Sequence, residues 1–170
     1  MNYVRYLLAI FLLCIILTGC AEKNPNGSTV LFYYRSTESN FGSETGLFAV
    51  EERTIHYSSS EYEKLIEEYL NGAKSSNCTS PFPGGTTLTY FSLHDGNATI
   101  VFSPHMVFQS QADVTTCCAC LCQTLFNLPD IQTITISVDG EKINGANELV
   151  FQKDSFLIRD DVSSNTISRP

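Results

Sequence analysis

The sequence has no tryptophan and is short of cations, with 10 Lys and Arg against 18 Asp and Glu and a formal net charge of −8. That balance argues against nucleic acid as a partner, because phosphate binding needs a basic footprint. It also gives no electrostatic hold on anionic lipid. Histidine is scarce, with His56, His94 and His105 as the 3 in the chain. Their spacing does not suggest convergence on a Ser–His–Asp arrangement, and no G-x-S-x-G elbow accompanies them. The phosphate loop G-x-x-x-x-G-K-[ST] is missing. Glu51-Glu52 and the acidic run from Glu61 to Glu68 read as solvated faces, with no cleft for paired catalytic carboxylates. The chain after its first twenty residues shows no internal repeat, and the apolar run Tyr6 to Ile16 within them is too short for a comfortable membrane span, which needs about 20 residues. None of these patterns singles out a catalytic residue, a cofactor site or a metal site.

What is present begins at the N-terminus. Asn2 to Arg5 carry one positive charge, Tyr6 to Ile16 are almost wholly apolar, and Leu17-Thr18-Gly19-Cys20 close the segment with small residues. A secretory signal has this three-part order. The cysteine at the cleavage point resembles the bacterial lipobox, in which the thiol is acylated before cleavage. Residues 1–19 are then a lipoprotein signal peptide, and Cys20 is the lipidated first residue of the mature chain. Each buried lipid CH₂ contributes about 0.8 kcal/mol, so more than one acyl chain anchors stably. The expected location is the extracytoplasmic face of a bacterial cell membrane. Residues 20–29, with Pro25, Asn26 and Gly27, read as a flexible tether. Residues 30–159 read as one domain, and 160–170 as a polar tail.

Within the domain, Val30 to Arg35 is rich in β-favouring side chains, and Leu47 to Arg53 reads as a second extended piece. Ser60 and Glu63 fit a capping box. Behind it Tyr62, Leu65, Ile66, Tyr69 and Leu70 recur at helical spacing, and Gly72 is a natural stop. Thr87 to His94 and Asn97 to Phe102 flank Asp95-Gly96, a type I′ hairpin pair. That turn sets Phe91 opposite Ile100 and Leu93 opposite Ala98. Gln111 to Phe126 reads as a second helix with Val114, Cys118, Leu121 and Leu125 on one stripe. Thr133 to Val138 is a strand with Ile134, Ile136 and Val138 on one face. Asp139-Gly140 turns the chain, and Glu141 to Ile143 read as a return. Leu149 to Phe151 and Phe156 to Ile158 read as weaker extended pieces. The fold class expected is α/β, a single-domain sandwich of a mixed sheet covered on one face by two helices.

Four cysteines, Cys117, Cys118, Cys120 and Cys122, crowd the second helix, and Cys78 lies in a loop. Thiolates one helical turn apart suit a soft metal, but these four point around more than half the helix, too far for one ion. No C-x-x-C pair flanks a loop in the zinc-ribbon manner. Cysteine packs as a small hydrophobe, and buried core is the reading preferred over disulfide, redox or metal use. The five are an odd number after Cys20, so at least one stays unpaired in a monomer.

The order of these motifs resembles the GerMN domain of bacterial sporulation and spore-germination lipoproteins. Gly46-Leu47-Phe48-Ala49-Val50-Glu51-Glu52-Arg53 resembles its early G-L-x-x-V-x-R element. Leu65 to Gly72 (LIEEYLNG) resembles its first helix and glycine stop. Phe82 to Ser103 (FPGGTTLTYFSLHDGNATIVFS) resembles its Pro-Gly-Thr opening and hairpin, and Thr124 to Gly140 (TLFNLPDIQTITISVDG) its closing helix, strand and turn. The helix cysteines depart from the small or aliphatic residues usual there, and Gly72-Ala73-Lys74 replaces a Gly-Pro. The resemblance implies a fold similar to ring-building modules and a non-enzymatic, structural or assembly role through protein–protein contacts, with no catalytic residue to carry over. The partners it implies are envelope or sporulation proteins, with homo-oligomers admitted. Location alone also allows a cell-envelope module that recognises peptidoglycan or a wall ligand.

Overall fold

The computed structural model describes residues 28–37, 47–55 and 61–156. Strands β1 (Ser28–Ser36) and β2 (Phe48–Ile55) pair antiparallel, with Phe32 opposite Glu51 and Tyr33 opposite Val50. Side chains alternate along a strand, so Val30, Phe32 and Tyr34 are buried while Leu31 and Tyr33 take the other face. The short strand β3 (Cys78–Thr79) joins β1 at Arg35 and Ser36, giving a sheet ordered β2-β1-β3. Cys78 thus belongs to a strand rather than to a loop.

Helix α1 (Tyr62–Leu70) buries Tyr62, Leu65, Ile66 and Tyr69, the apolar stripe read from the sequence. Its N-cap is Glu61, with no side-chain cap hydrogen bond, in place of the expected Ser60–Glu63 box. Ser60 lies outside the described residues. Gly72 ends the helix as expected, with φ +92 and its N–H donating to the Tyr69 carbonyl.

The second sheet is ordered β4-β5-β6-β7 and is mixed. Strands β4 (Leu88–His94) and β5 (Asn97–Phe102) form the hairpin in the expected register, with a bulge between Leu88 and Tyr90. Asp95 and Gly96 both have positive φ, 48 and 79, as a type I′ turn requires. Helix α2 (Gln111–Phe126) crosses from β5 to β6 (Thr133–Val138), which therefore run parallel. Ser110 caps α2 by accepting from the Asp113 N–H at 3.2 Å. The return expected at Glu141 to Ile143 consists only of isolated bridges, Val138 to Glu141 and Ile143 to Ala146. A second turn at Asn144-Gly145, both at positive φ, intervenes, so the antiparallel return is β7 (Glu148–Gln152).

The α/β sandwich with a mixed sheet and two helices is present, but the strands divide into two sheets. The reason lies at the open edge of β1. The Tyr33 N–H donates to Thr124 Oγ1 of α2 at 2.9 Å, and the Tyr69 hydroxyl of α1 donates to the Tyr33 carbonyl. Buried backbone groups must be paired, and here helix side chains do what a neighbouring strand would otherwise do. A run of aromatic contacts joins the two sheets: Phe32 to Tyr69 at 5.4 Å, Tyr69 to Phe82 at 5.3 Å and Phe82 to Phe102 at 5.6 Å between ring centroids.

Candidate functional site

Among the described residues, Glu51 and Arg53 are the charged residues that are buried. Two positions apart on β2, they share its inward face. The fold corrects the solvated reading of the Glu51-Glu52 pair: Glu52 is exposed, but Glu51 retains only 7% of its surface. Sequence reading missed this because Phe48 and Val50 alternate with Glu51 and Arg53, and the charged set looks like the wet one. The signal was available in β1, whose buried Phe32 and Tyr34 face the same side.

Arg53 spends all of its N–H groups inside the fold. Nε donates to Glu51 Oε1 at 2.5 Å. Nη1 donates to the Glu68 carbonyl at 3.2 Å and to Glu68 Oε1 at 3.1 Å. Nη2 donates to the Tyr34 hydroxyl at 2.9 Å and to the Gly72 carbonyl at 2.7 Å. A guanidinium has five donors, and each is matched. Its carbon also sits 4.8 Å from the Phe32 ring centroid, a cation–π distance. The second oxygen of Glu51 accepts from the backbone N–H groups of Lys74 at 2.8 Å and Ser75 at 3.0 Å. Burial alone would push the Glu51 carboxyl up. The bonds from Arg53, Ser75 and Lys74 overcome this and hold it down at about 2. Burial raises the Tyr34 hydroxyl well above its ordinary range, opposed in part by Arg53.

A cleft of about 350 Å³ opens beside this network, lined by Arg53, Ile55, Glu61, Lys64, Leu65 and Glu68 among others. Its cations are already paired: Lys64 with Glu61 at 2.9 Å, Lys74 with Glu68 at 2.9 Å, Arg53 with Glu51 and Glu68. The arrangement ties β2 to β1, to α1 and to the chain following α1. Among the described residues it has no unused cation to offer a ligand.

The five described cysteines are free thiols and buried. Burial raises all of them: Cys118 to about 11, Cys120 to about 12, Cys117 and Cys122 well above the usual value. Burial likewise raises Cys78. Among the described residues no group of three or more His, Cys, Asp or Glu is placed to hold a metal ion. His94 pairs with Asp95 at 3.1 Å on the exposed hairpin tip, and His105 is exposed beside the Gly85 turn. His56 and Cys20 lie outside the described residues. No described helix is long and apolar enough to cross a membrane. Of the tyrosines, Tyr34 is fully buried, Tyr33 half-buried and Tyr90 53% exposed.

Residues 31–144 match the protein family described as sporulation and spore germination, Germane. Among solved structures, the first GerMN domain of the sporulation protein GerM from Bacillus subtilis matches with a TM-score of 0.53 and 16% identity. That match covers 69% of this chain and 86% of that one. The tandem GerMN domains of GerM match with a TM-score of 0.53 and 17% identity, over 76% of this chain and 46% of that one. A suspected lipoprotein from Clostridium perfringens matches with a TM-score of 0.49 and 20% identity, over 79% of this chain and 93% of that one. No curated protein sequence gives a significant match. At these identities the likeness is one of fold.

Proposed function

Because the chain belongs to the Germane family of sporulation and spore germination, we propose that it is a lipid-anchored, non-enzymatic assembly protein of the bacterial envelope. It is held by Cys20 at the extracytoplasmic face and works through protein–protein contacts in sporulation or germination. The observation that carries this reading is the family match across residues 31–144. The lipobox Leu17-Thr18-Gly19-Cys20 supports the anchor. The internal saturation of the Glu51–Arg53 network supports a scaffold, since its polar groups serve the fold and not a substrate.

The test is deletion of the gene in a host known to sporulate, together with cross-linking of the intact lipoprotein in growing and starved cells. A defect in spore formation or germination, with sporulation or germination proteins captured mainly under starvation, is the expected result. Normal spores that germinate normally, with no protein captured in either condition, would refute the assembly role.

A further inference from the structure

We propose that the outer face of the three-stranded sheet rests on the lipid surface that holds the anchor. The proposal depends on the reading of Cys20 as the lipidated residue. In β1 and β2 the buried positions are Val30, Phe32, Tyr34, Glu51 and Arg53. Alternation therefore puts Leu31, Tyr33, Phe48 and Val50 together on the opposite face. Register makes them contiguous: Tyr33 lies directly across from Val50, with Leu31 and Phe48 in the flanking rows. Leu47 borders the group and is 41% exposed, and Val50 is 48% exposed.

Three observations favour lipid as the occupant. The first is reach. The anchor leads directly into β1, and the roughly eight residues from Cys20 to Ser28 extend at most about 28 Å. Leu31 begins the apolar group three residues further on, so the group lies close to where the anchored chain enters the fold. The second is charge. A chain of net charge −8 is repelled by anionic headgroups over most of its surface. On this face Arg35 is paired with Asp113 at 3.3 Å, Glu52 stands opposite Leu31, and Thr29 and Thr54 close the far end. The third is composition. An apolar group with a tyrosine at its centre and an arginine at its edge suits the boundary between acyl chains and headgroups, where such side chains keep a polar tip in water. The outer face of the four-stranded sheet is more polar, with Ser92, Thr99, Thr133, Thr135 and Ser137 interspersed among Tyr90, Val101 and Val150.

The missing tryptophan makes the test direct, because one introduced indole reports alone. The full lipoprotein carrying Val50→Trp is reconstituted in phosphatidylcholine–phosphatidylglycerol vesicles with ordinary or brominated acyl chains. Leu47→Trp serves as a second probe of the same face, and Tyr90→Trp as a probe of the four-stranded sheet. Far-ultraviolet circular dichroism checks that each variant is folded. The expected result is blue-shifted emission and loss of intensity on brominated lipid at positions 50 and 47, with position 90 unchanged. If mass spectrometry finds the lipid on Cys20 and positions 50 and 47 are not quenched, the docking fails while the anchor stands. Equal quenching at position 90 overturns it as well, because no face is then preferred. A Cys20 without lipid removes the anchor and the docking with it.

Discussion

Replacing Arg53 by alanine is the sharpest perturbation this fold offers. It leaves the Glu51 carboxylate buried with only the Lys74 and Ser75 N–H groups, and deprives the Tyr34 hydroxyl and the Gly72 carbonyl of their Nη2 donor. It also uncovers the Phe32 ring. Removing one partner of a buried ion pair typically costs about 3–5 kcal/mol, and we expect Arg53→Ala to fall there. Arg53→Lys keeps the charge but not the planar fork, and should lose less than the alanine variant but measurably against the parent. Pairing Arg53→Met with Glu51→Gln restores neutrality and retains an oxygen for Lys74 and Ser75. That double variant should recover about half of the alanine loss, because removing both charges relieves the desolvation penalty. The assay is urea unfolding followed by circular dichroism. With a slope of about 1.5 kcal/mol per M, the alanine variant should unfold about 2–3 M earlier. A midpoint within about 0.5 M of the parent would refute the argument that this network holds β2 to α1.

Other consequences are open to the same instruments. Glu51 titrates near 2 in the folded chain and near 4.5 when free. Its contribution is therefore complete above about pH 4.5 and lost as the pH falls toward 2; acid melts should steepen there in the parent and less so in Glu51→Gln. Thr124→Ala strips the acceptor from the Tyr33 N–H and should cost about 1–3 kcal/mol. Thr124→Ser, which keeps the hydroxyl, should melt close to the parent. The buried thiols should resist a soluble disulfide reagent at pH 8 in the folded protein and react together in denaturant; rapid labelling of Cys117 or Cys122 in the native state would contradict their burial. Gly96→Ala places a Cβ 3.2 Å from the Gln132 side chain at φ +79 and should cost about 1–2 kcal/mol in thermal unfolding.

The hairpin, both helices and β6 were legible because each carries a local signal. Asp95-Gly96 fixes one register, and a register slip would reverse which face is apolar. Gln111 to Phe126 is bounded by Ser110, which caps it, and by Asn127, where it ends. The return strand was misplaced because Asp139-Gly140 looks like the whole turn, when Asn144-Gly145 adds a second reversal before pairing begins. The Glu51–Arg53 network was illegible for a different reason. Its partners are Tyr34, Glu68, Gly72, Lys74 and Ser75, and they meet only once β1, α1 and the chain beyond it have assembled. Charge on a strand reads as solvent-facing until the opposing surface is known to supply donors and acceptors.

The cysteines of α2 follow from the same geometry. A helix that covers one sheet needs one apolar stripe, but α2 has two surfaces to satisfy. Val114, Cys118, Leu121 and Leu125 form the stripe of a helix that crosses between parallel β5 and β6. On another side Thr124 bonds to β1, and Cys117 and Cys120 lie close enough to Tyr69 to influence its hydroxyl. There α2 lies against the edge of β1, close enough for the Thr124 hydroxyl to accept from the Tyr33 N–H at 2.9 Å. Only small side chains fit such a contact, and a thiol is small and apolar. Thr124 can hold its hydroxyl there because it also donates to the Cys120 carbonyl at 2.9 Å. Alanine at Cys117 and Cys120 should therefore be tolerated better than leucine, since added methylenes overpack a filled contact at about 1–3 kcal/mol. On this account the thiols are a packing solution to a helix shared by two sheets, and their clustering needs no metal or redox chemistry to explain it.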